Sequence, residues 1–279
     1  MVRIAFIILT WNSEKYIYTC IKSILNLNFE KIYISIADNG SKDKTIDIIN
    51  SFKISNKNVI MKLVKLEKNL GTTVSRNIAI ESIKKDVDYL CILDSDTEIN
   101  QKSIEHMINL LKIDRKNGII GPKMISRDGY IQPSGRNIPT LTIKFLKALP
   151  FDYLQKKGES LEEIDKNKML YDNNIFKVGY LMSACWVMRT ELIDKIGLLD
   201  ENIFYAPEDV EFCLRAWVNG YNVLYDKNVE IIHEWQRISR KKILSKHNWE
   251  HIKGLIYLFI KYKYIFSSKC FEFLWNDCK

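Results

Sequence analysis

The sequence contains no Cys-x-x-Cys pair, no low-complexity tract and no apolar run near the roughly 20 residues that a bilayer-spanning helix needs. Its six cysteines, Cys20, Cys91, Cys185, Cys213, Cys270 and Cys278, are scattered and mostly sit in apolar stretches. That argues for buried free thiols in a reducing, cytoplasmic compartment, and against a disulfide framework or a zinc site. Proline and glycine are few, 5 and 11 in 279 residues, so most of the chain is expected to be folded. No small-residue cleavage site follows the opening Ile4-Ala5-Phe6-Ile7-Ile8-Leu9, which therefore reads as a first β-strand rather than a signal peptide. The strongly apolar, aromatic stretch Leu255 to Phe266 has only twelve residues and holds Lys261 and Lys263, leaving room for an interfacial helix but not for a span.

What is present suffices for a real core: 47% of residues are hydrophobic and 27% charged. The net charge of +8 is concentrated at one end, because His233 to Lys279 holds ten Lys or Arg against four Asp or Glu. A basic, aromatic tail of this kind meets an anionic membrane surface or a nucleic acid, or is simply a solvated face.

Along the chain, buried-strand patterns alternate with helical ones. Ile4 to Leu9, Ile32 to Ala37, Val59 to Leu66 and Tyr89 to Leu93 read as strands, with helical periodicity after each. This alternation predicts an α/β fold with a mostly parallel, Rossmann-like sheet flanked by helices. In such sheets ligands bind beyond the carboxyl ends of the strands, where Thr10-Trp11-Asn12, Asp38-Asn39-Gly40-Ser41, Asn69-Leu70-Gly71 and Asp94-Ser95-Asp96 fall. Residues 126–177 carry three prolines and charged clusters, and are expected to form an irregular insertion shaping the acceptor side. Later come a helix over Glu191 to Ile196, a helix opening at Glu208-Asp209, and a strand over Asn222 to Tyr225.

Asp94 and Asp96 project to the same side of an extended chain. Two carboxylates there suit a hard divalent ion, Mg²⁺ or Mn²⁺, completed by phosphate oxygens. Each acid also has a plain structural use: Asp96 to cap the next helix, Asp38 to close its turn, and Glu208 and Asp209 to complement a helix dipole.

Taken together, Ile7-Ile8-Leu9-Thr10-Trp11-Asn12, Ile36 to Asp43, Asn69-Leu70-Gly71 with Ser75-Arg76-Asn77, Leu93-Asp94-Ser95-Asp96, Gly179 to Met188 and Glu208 to Arg215 resemble, in order, the inverting GT-A glycosyltransferases. The bacterial and archaeal rhamnosyltransferase-like members are the nearest in pattern. The resemblance implies a GT-A catalytic domain over 1–235, with 1–125 binding the nucleotide-sugar and 126–235 the acceptor, and a basic, aromatic, helical tail over 236–279. It implies that Asp38 reads the base, that Thr10 and Asn12 lie against the nucleoside, and that Asp94 and Asp96 hold the metal with His233 as a third ligand. Asn69, Gly71, Arg76, Ser95, Trp186 and Glu208 are expected at the substrates, Arg76 against phosphate charge, and Asp209 as general base. The implied partners are a UDP- or dTDP-sugar donor and a saccharide or lipid-linked acceptor, with peripheral contact at the inner face of the membrane through the tail.

Two other readings fit less of the chain. A nucleotidylyltransferase shares the sheet and metal but should open with a Gly-rich basic loop, and none stands near Thr10 to Lys15. A nucleic-acid-binding module using Arg237, Arg240, Lys241, Lys242 and Lys246 leaves the four strand-end motifs unexplained, so no nucleic-acid partner is expected.

Overall fold

The computed structural model describes residues 2–83, 87–164, 169–234 and 246–274. Its first third is the expected alternation: β1 (Arg3–Thr10), α1 (Ile17–Leu25), β2 (Lys31–Asp38), α2 (Thr45–Ser51), β3 (Val59–Lys65), α3 (Thr72–Glu81) and β4 (Tyr89–Asp94). There follow β5 (Thr97–Glu98), α4 (Gln101–Ile113), β6 (Asn117–Ile125), β7 (Ile131–Gln132), β8 (Gly135–Arg136), α5 (Leu141–Ala148) and α6 (Asp152–Glu162). The remainder comprises β9 (Leu170–Asp172), β10 (Ile175–Lys177), β11 (Tyr180–Leu181), β12 (Cys185–Arg189), α7 (Thr190–Ile196), α8 (Glu208–Val218), β13 (Asn222–His233) and α9 (Lys246–Tyr262), then a short 3₁₀ turn over Lys269–Leu274.

Among the described residues the main sheet runs β3-β2-β1-β4-β12-β6-β13-β10-β9. The strands β3, β2, β1 and β4 pair in parallel, while β12 lies antiparallel between β4 and β6. The parallel half is buried on both faces, as its continuous apolar strands require. In β1, Ala5 and Ile7 face one core with α3, α7, α8 and α9, and Ile4, Phe6 and Ile8 face the other with α1 and α4. Asn100 caps α4 by accepting the Ser103 N–H.

Three expectations change. Residues 126–177 are not an irregular insertion, since α5 and α6 pack as a helical pair within them. Their periodicity is hard to read because the apolar residues Leu141, Phe145, Phe151 and Tyr153 point outward. The strand expected at Asn222 to Tyr225 continues to His233 through a register shift between Asp226 and Glu230, which in sequence looks like a polar turn. Finally, the helix expected in the tail, α9, also packs inward: Leu255, Leu258 and Phe259 join the same core as Trp186 and Leu214.

A close backbone approach seats α9. A Cβ added at Gly254 would lie 2.3 Å from the Ala206 carbonyl oxygen and 2.7 Å from Pro207 Cδ. Lys261 reaches Asp200 Oδ2 at 2.5 Å and Glu211 Oε1 at 2.8 Å, and Tyr262 donates to the same Glu211 oxygen at 3.0 Å. Gly254→Ala should therefore cost about 1–3 kcal/mol, the usual penalty of forced overpacking. Denaturant unfolding checks this, and a loss below about 0.5 kcal/mol, within the usual surface range, would mean that the helix is not seated this way.

Candidate active site

The carboxyl edge of the parallel strands opens into a cavity of about 350 Å³. It gathers Asn69, Gly71, Arg76, Asp94, Ser95, Asp96, Glu208, Asp209 and His233 from five places in the sequence.

Its floor is organised by Arg76, which is 1% exposed on the first turns of α3. One guanidinium nitrogen lies 2.6 Å from Asp94 Oδ1 and 3.2 Å from the Ser183 carbonyl oxygen; the other lies 3.2 Å from Glu208 Oε1. A buried guanidinium needs this company, because an uncompensated charge in a dry environment is costly. Ser183 Oγ donates to Glu208 Oε1 at 2.9 Å, fixing that carboxylate from a second side.

Asp94, Asp96 and His233 offer ligand atoms within 4.8 Å of one another. His233 stands at the end of β13, which β5 brings beside the Asp94-Ser95-Asp96 turn by pairing His233 with Thr97. Gln132 grips the histidine twice, its Oε1 accepting from Nδ1 over 2.6 Å and its amide N–H donating to the His233 carbonyl at 2.9 Å. With Nδ1–H given to Gln132, Nε2 keeps its lone pair toward the carboxylates, 3.4 Å from Asp96 Oδ1. Two carboxylates and an imidazole suit a divalent ion such as Mg²⁺ or Mn²⁺. Burial alone would lower the His233 pKa, but Asp96 and Asp94 outweigh it and hold it above its ordinary value. Removal from bulk water raises the Asp94 carboxyl, and Arg76 opposes that rise.

Across the cavity, α8 starts at Glu208-Asp209 after a cis Ala206-Pro207 peptide. Burial pushes Glu208 up to about 8, with the neighbouring Asp209 adding to the rise and Arg76 opposing it. Burial likewise pushes Asp209 up to about 6, against the Val210 N–H and the charges of Lys144, Arg76 and Arg136. Two adjacent acids in one dry pocket thus resist carrying two full charges at neutral pH.

The ends of β1 and β2 have their own open valences, at Thr10 and Asp38, which are buried and do not line the cavity. Asp38 is fully buried, and its Oδ2 accepts the Ser41 N–H at 3.0 Å. Its Oδ1, and the Thr10 hydroxyl that pairs in register beside it, have no hydrogen-bond partner among the described residues. Buried polar atoms left open in this way are the exception in folded proteins.

Residues 5–197 match the family model for glycosyl transferase family 2. The chain belongs to glycosyl transferase family 2. Within that family it is similar to an uncharacterized glycosyltransferase of Haemophilus influenzae, 36% identical over 111 residues that make up 40% of this chain and 43% of that one. It is also similar to the N-acetylglucosaminyl-diphospho-decaprenol L-rhamnosyltransferase of Mycobacterium tuberculosis, 25% identical over 72% of this chain and 66% of that protein. The chain thus spans between about two fifths and two thirds of these relatives. In fold it resembles the crystal structure of GalNAc-T7 with UDP, GalNAc and Mn²⁺, with a TM-score of 0.61 and 15% identity over 84% of this chain and 44% of that one. The mixed α/β fold with its mostly parallel sheet is therefore the GT-A fold the motifs implied.

In this family 2 chain some expected residues stand elsewhere. Trp186 is not at the substrate cavity: it is 0% exposed, donates its indole N–H to the Leu181 carbonyl and stacks on Phe212 with centroids 5.6 Å apart. An apolar strand central to the sheet leaves its largest side chain to the core. Asn12 braces a loop, its Oδ1 accepting the Lys42 N–H and its N–H donating to Ser41 Oγ, and does not line the cavity. Arg76 spends its charge on protein carboxylates rather than standing open toward phosphate. The basic residues Arg237, Arg240, Lys241 and Lys242 lie outside the described residues, as does the side chain of Lys246.

Sequence reasoning missed Asn39, Ser183 and Gln132. Asn39 gathers the Asn69-Leu70-Gly71 loop, donating to Asn69 Oδ1 and the Gly71 carbonyl and accepting from Leu70 N and Ser75 Oγ. Its position inside Asp38-Asn39-Gly40-Ser41 was a usable signal. Gln132 had none, being distant in sequence from everything it supports.

Removing the floor's cation should be severe. Arg76→Met leaves the buried Glu208 without its cation and the partly exposed Asp94 without its ion pair, and is expected to lose about 3–5 kcal/mol of stability at neutral pH, most of it at Glu208. Both carboxyls would rise still further above their unfolded values, so the variant recovers as protons neutralise them. Its deficit should be greatest above about pH 8 and shrink as pH falls toward the ordinary carboxyl range. Urea unfolding at pH 8 and pH 5 measures this, and a deficit growing at pH 5 would contradict it.

Proposed function

We propose that the chain transfers a sugar, rhamnose or another hexose, from a UDP- or dTDP-sugar to a saccharide or lipid-linked acceptor in surface polysaccharide assembly, with inversion at the anomeric carbon. One observation carries this reading: the Asp94, Asp96 and His233 ligand atoms and the Glu208-Asp209 pair face the same cavity at the carboxyl edge of the sheet. Residues 1–125 would hold the donor and 126–235 the acceptor. A carboxylate accepts the imide N–H of uracil or thymine, which is the role given to Asp38; its Oδ1 and Thr10 Oγ1 are open valences, but both residues are buried and outside the cavity lining, so a nucleoside reaches them only when that edge opens locally.

Asp94, Asp96 and His233 would hold Mg²⁺ or Mn²⁺, whose chemistry there is neutralisation of the departing nucleoside diphosphate's charge. Arg76 keeps Asp94 ionised and aimed, and Gln132 keeps His233 in the ligating tautomer. Asp209 accepts the proton of the acceptor hydroxyl as that oxygen bonds to the anomeric carbon and the bond from that carbon to the diphosphate oxygen breaks. A single displacement of this kind inverts the centre and needs no protein nucleophile. A carboxylate whose conjugate acid is near 6 is ionised at neutral pH, yet holds a proton better than an ordinary aspartate.

Asp209→Asn should therefore lower turnover roughly 10²–10⁴-fold while donor affinity moves little. Glu208→Gln should cost less. Activity of Asp209→Asn near that of wild type, with Glu208→Gln inactive, would assign the base to the other carboxylate. Because the base must be ionised, kcat/KM should fall below about pH 6 rather than near 4.

Asp96→Ala, or EDTA on the wild type, should nearly abolish nucleotide release and remove the thermal stabilisation by UDP with Mn²⁺. Near-normal release in EDTA would refute the metal. A panel of UDP-, dTDP- and GDP-sugars tests the donor, and preference for GDP-sugars would undo the role given to Asp38.

A further inference from the structure

Large apolar side chains are exposed unevenly on this molecule. Leu141 and Phe145 form an outward stripe on α5 with Ala148, and Trp249, Ile252, Ile256 and Ile260 form another along α9 at spacings of three and four residues. The stripes meet where Leu141 N–H donates to the Ile265 carbonyl and Thr142 Oγ1 donates to the Phe266 carbonyl. Phe145 is 60% exposed, Ile260 71% and Phe266 70%. The opposite side of α9, with Gly254, Leu255, Leu258 and Phe259, is seated in the core, so the outward orientation is fixed by packing.

Charge tells which partner fits. Residues 141–151 and 251–271 contain six lysines, Lys144, Lys147, Lys253, Lys261, Lys263 and Lys269, and no Asp or Glu. Glu250 stands inside the α9 stripe and pairs with Lys253, Lys144 and Lys147 pair with Glu162, and Lys261 pairs with Asp200 and Glu211, so the six lysines leave a net excess of about two positive charges beside the stripes. An apolar stripe with a cationic excess at its edge matches a surface that offers apolar depth beneath negative charge. At 17 residues α9 is about 26 Å long by its rise per residue, and no helix among the described residues is long and apolar enough to cross a membrane.

We propose that the joined stripes of α5 and α9 form one face that lies in the headgroup region of an anionic bilayer. This deepens the reading above by selecting its lipid-linked acceptor. Gly254 of α9 lies against Ala206, which lines the cavity just before Glu208, so the face adjoins the Glu208-Asp209 side of the cavity. A lipid-anchored acceptor would enter from the surface on which the enzyme rests.

Co-sedimentation of the full chain with vesicles tests the proposal, comparing phosphatidylcholine alone with mixtures containing phosphatidylglycerol. Wild type should pellet with the anionic vesicles, and less so at high salt. Ile256→Glu/Ile260→Glu and, separately, Phe145→Glu should each reduce binding at least tenfold by replacing an inserted side chain with a charge on an anionic surface. Stabilisation by UDP with Mn²⁺ should be unchanged in both, which reports the fold and the donor site independently. Wild type that stays in the supernatant overturns the proposal, as does equal recovery of variants and wild type. Loss only on Lys253→Gln/Lys263→Gln would leave adsorption without insertion and also overturn it. If wild type is instead a dimer that Ile256→Glu/Ile260→Glu dissociates, without vesicle binding, the face belongs to a second copy. Absence of any response to UDP would sink the donor reading while leaving the vesicle result to stand by itself.

Discussion

A single buried cation organises this molecule. Arg76 ties three segments that are distant in sequence, the end of β4 through Asp94, the Met182-Ser183 turn through a carbonyl, and the start of α8 through Glu208. Its guanidinium fork can satisfy all three at once, which a point charge such as lysine could not. The two carboxylates it holds belong to opposite sides of the cavity, so the separation between the proposed metal ligands and the proposed base depends on one side chain. The electrostatic tension of the site follows from the same fact: burial raises both carboxyls, and the charge of Arg76 opposes that rise.

The helix carrying Arg76 fastens the cavity's far wall as well. Thr73 Oγ1 donates to the Ile203 carbonyl, and Asn77 exchanges hydrogen bonds with the Leu199 backbone while reaching Glu201. Gly71, with φ of 89°, allows the Phe204 carbonyl to approach where a Cβ would sit 2.2 Å away. On the other side of that loop, α9 presses Gly254 against Ala206 and clamps Glu211 with Lys261 and Tyr262. The segment leading into Glu208-Asp209 is therefore held from both sides, as precise placement of a reacting group requires.

Beyond Asp209 the acceptor side has a different balance. Glu162 is buried among Arg136, Lys144 and Lys147. Burial would raise its carboxyl, but these three cations lower it to about 2. One carboxylate against three cations leaves the wall beside Asp209 positive, while the opposite wall carries Asp94 and Asp96. The charges of Lys144 and Arg136 on the positive wall hold the Asp209 carboxyl down against the rise that burial imposes.

The sequence by itself determined the parallel half of the sheet and the positions that matter along its edge. Continuous apolar strands followed by helices allow few other folds, and strand ends in such a fold must be polar where a ligand enters. Asn69, Gly71, Asp94 and Asp96, which line the cavity, were legible for that reason, and Glu208-Asp209 through the resemblance of the motif that opens α8. The helices α5 and α6 were not, because their apolar residues face outward and mimic an irregular segment. Trp186 was misjudged because a motif places a residue on a strand without saying which face it takes. Only the tertiary structure decided that Arg76 serves carboxylates, that Gln132 orients His233, and that α9 braces α8. Each of these rests on contacts between residues 18 to more than 130 positions apart, which are set by packing and burial and leave no local pattern in the chain.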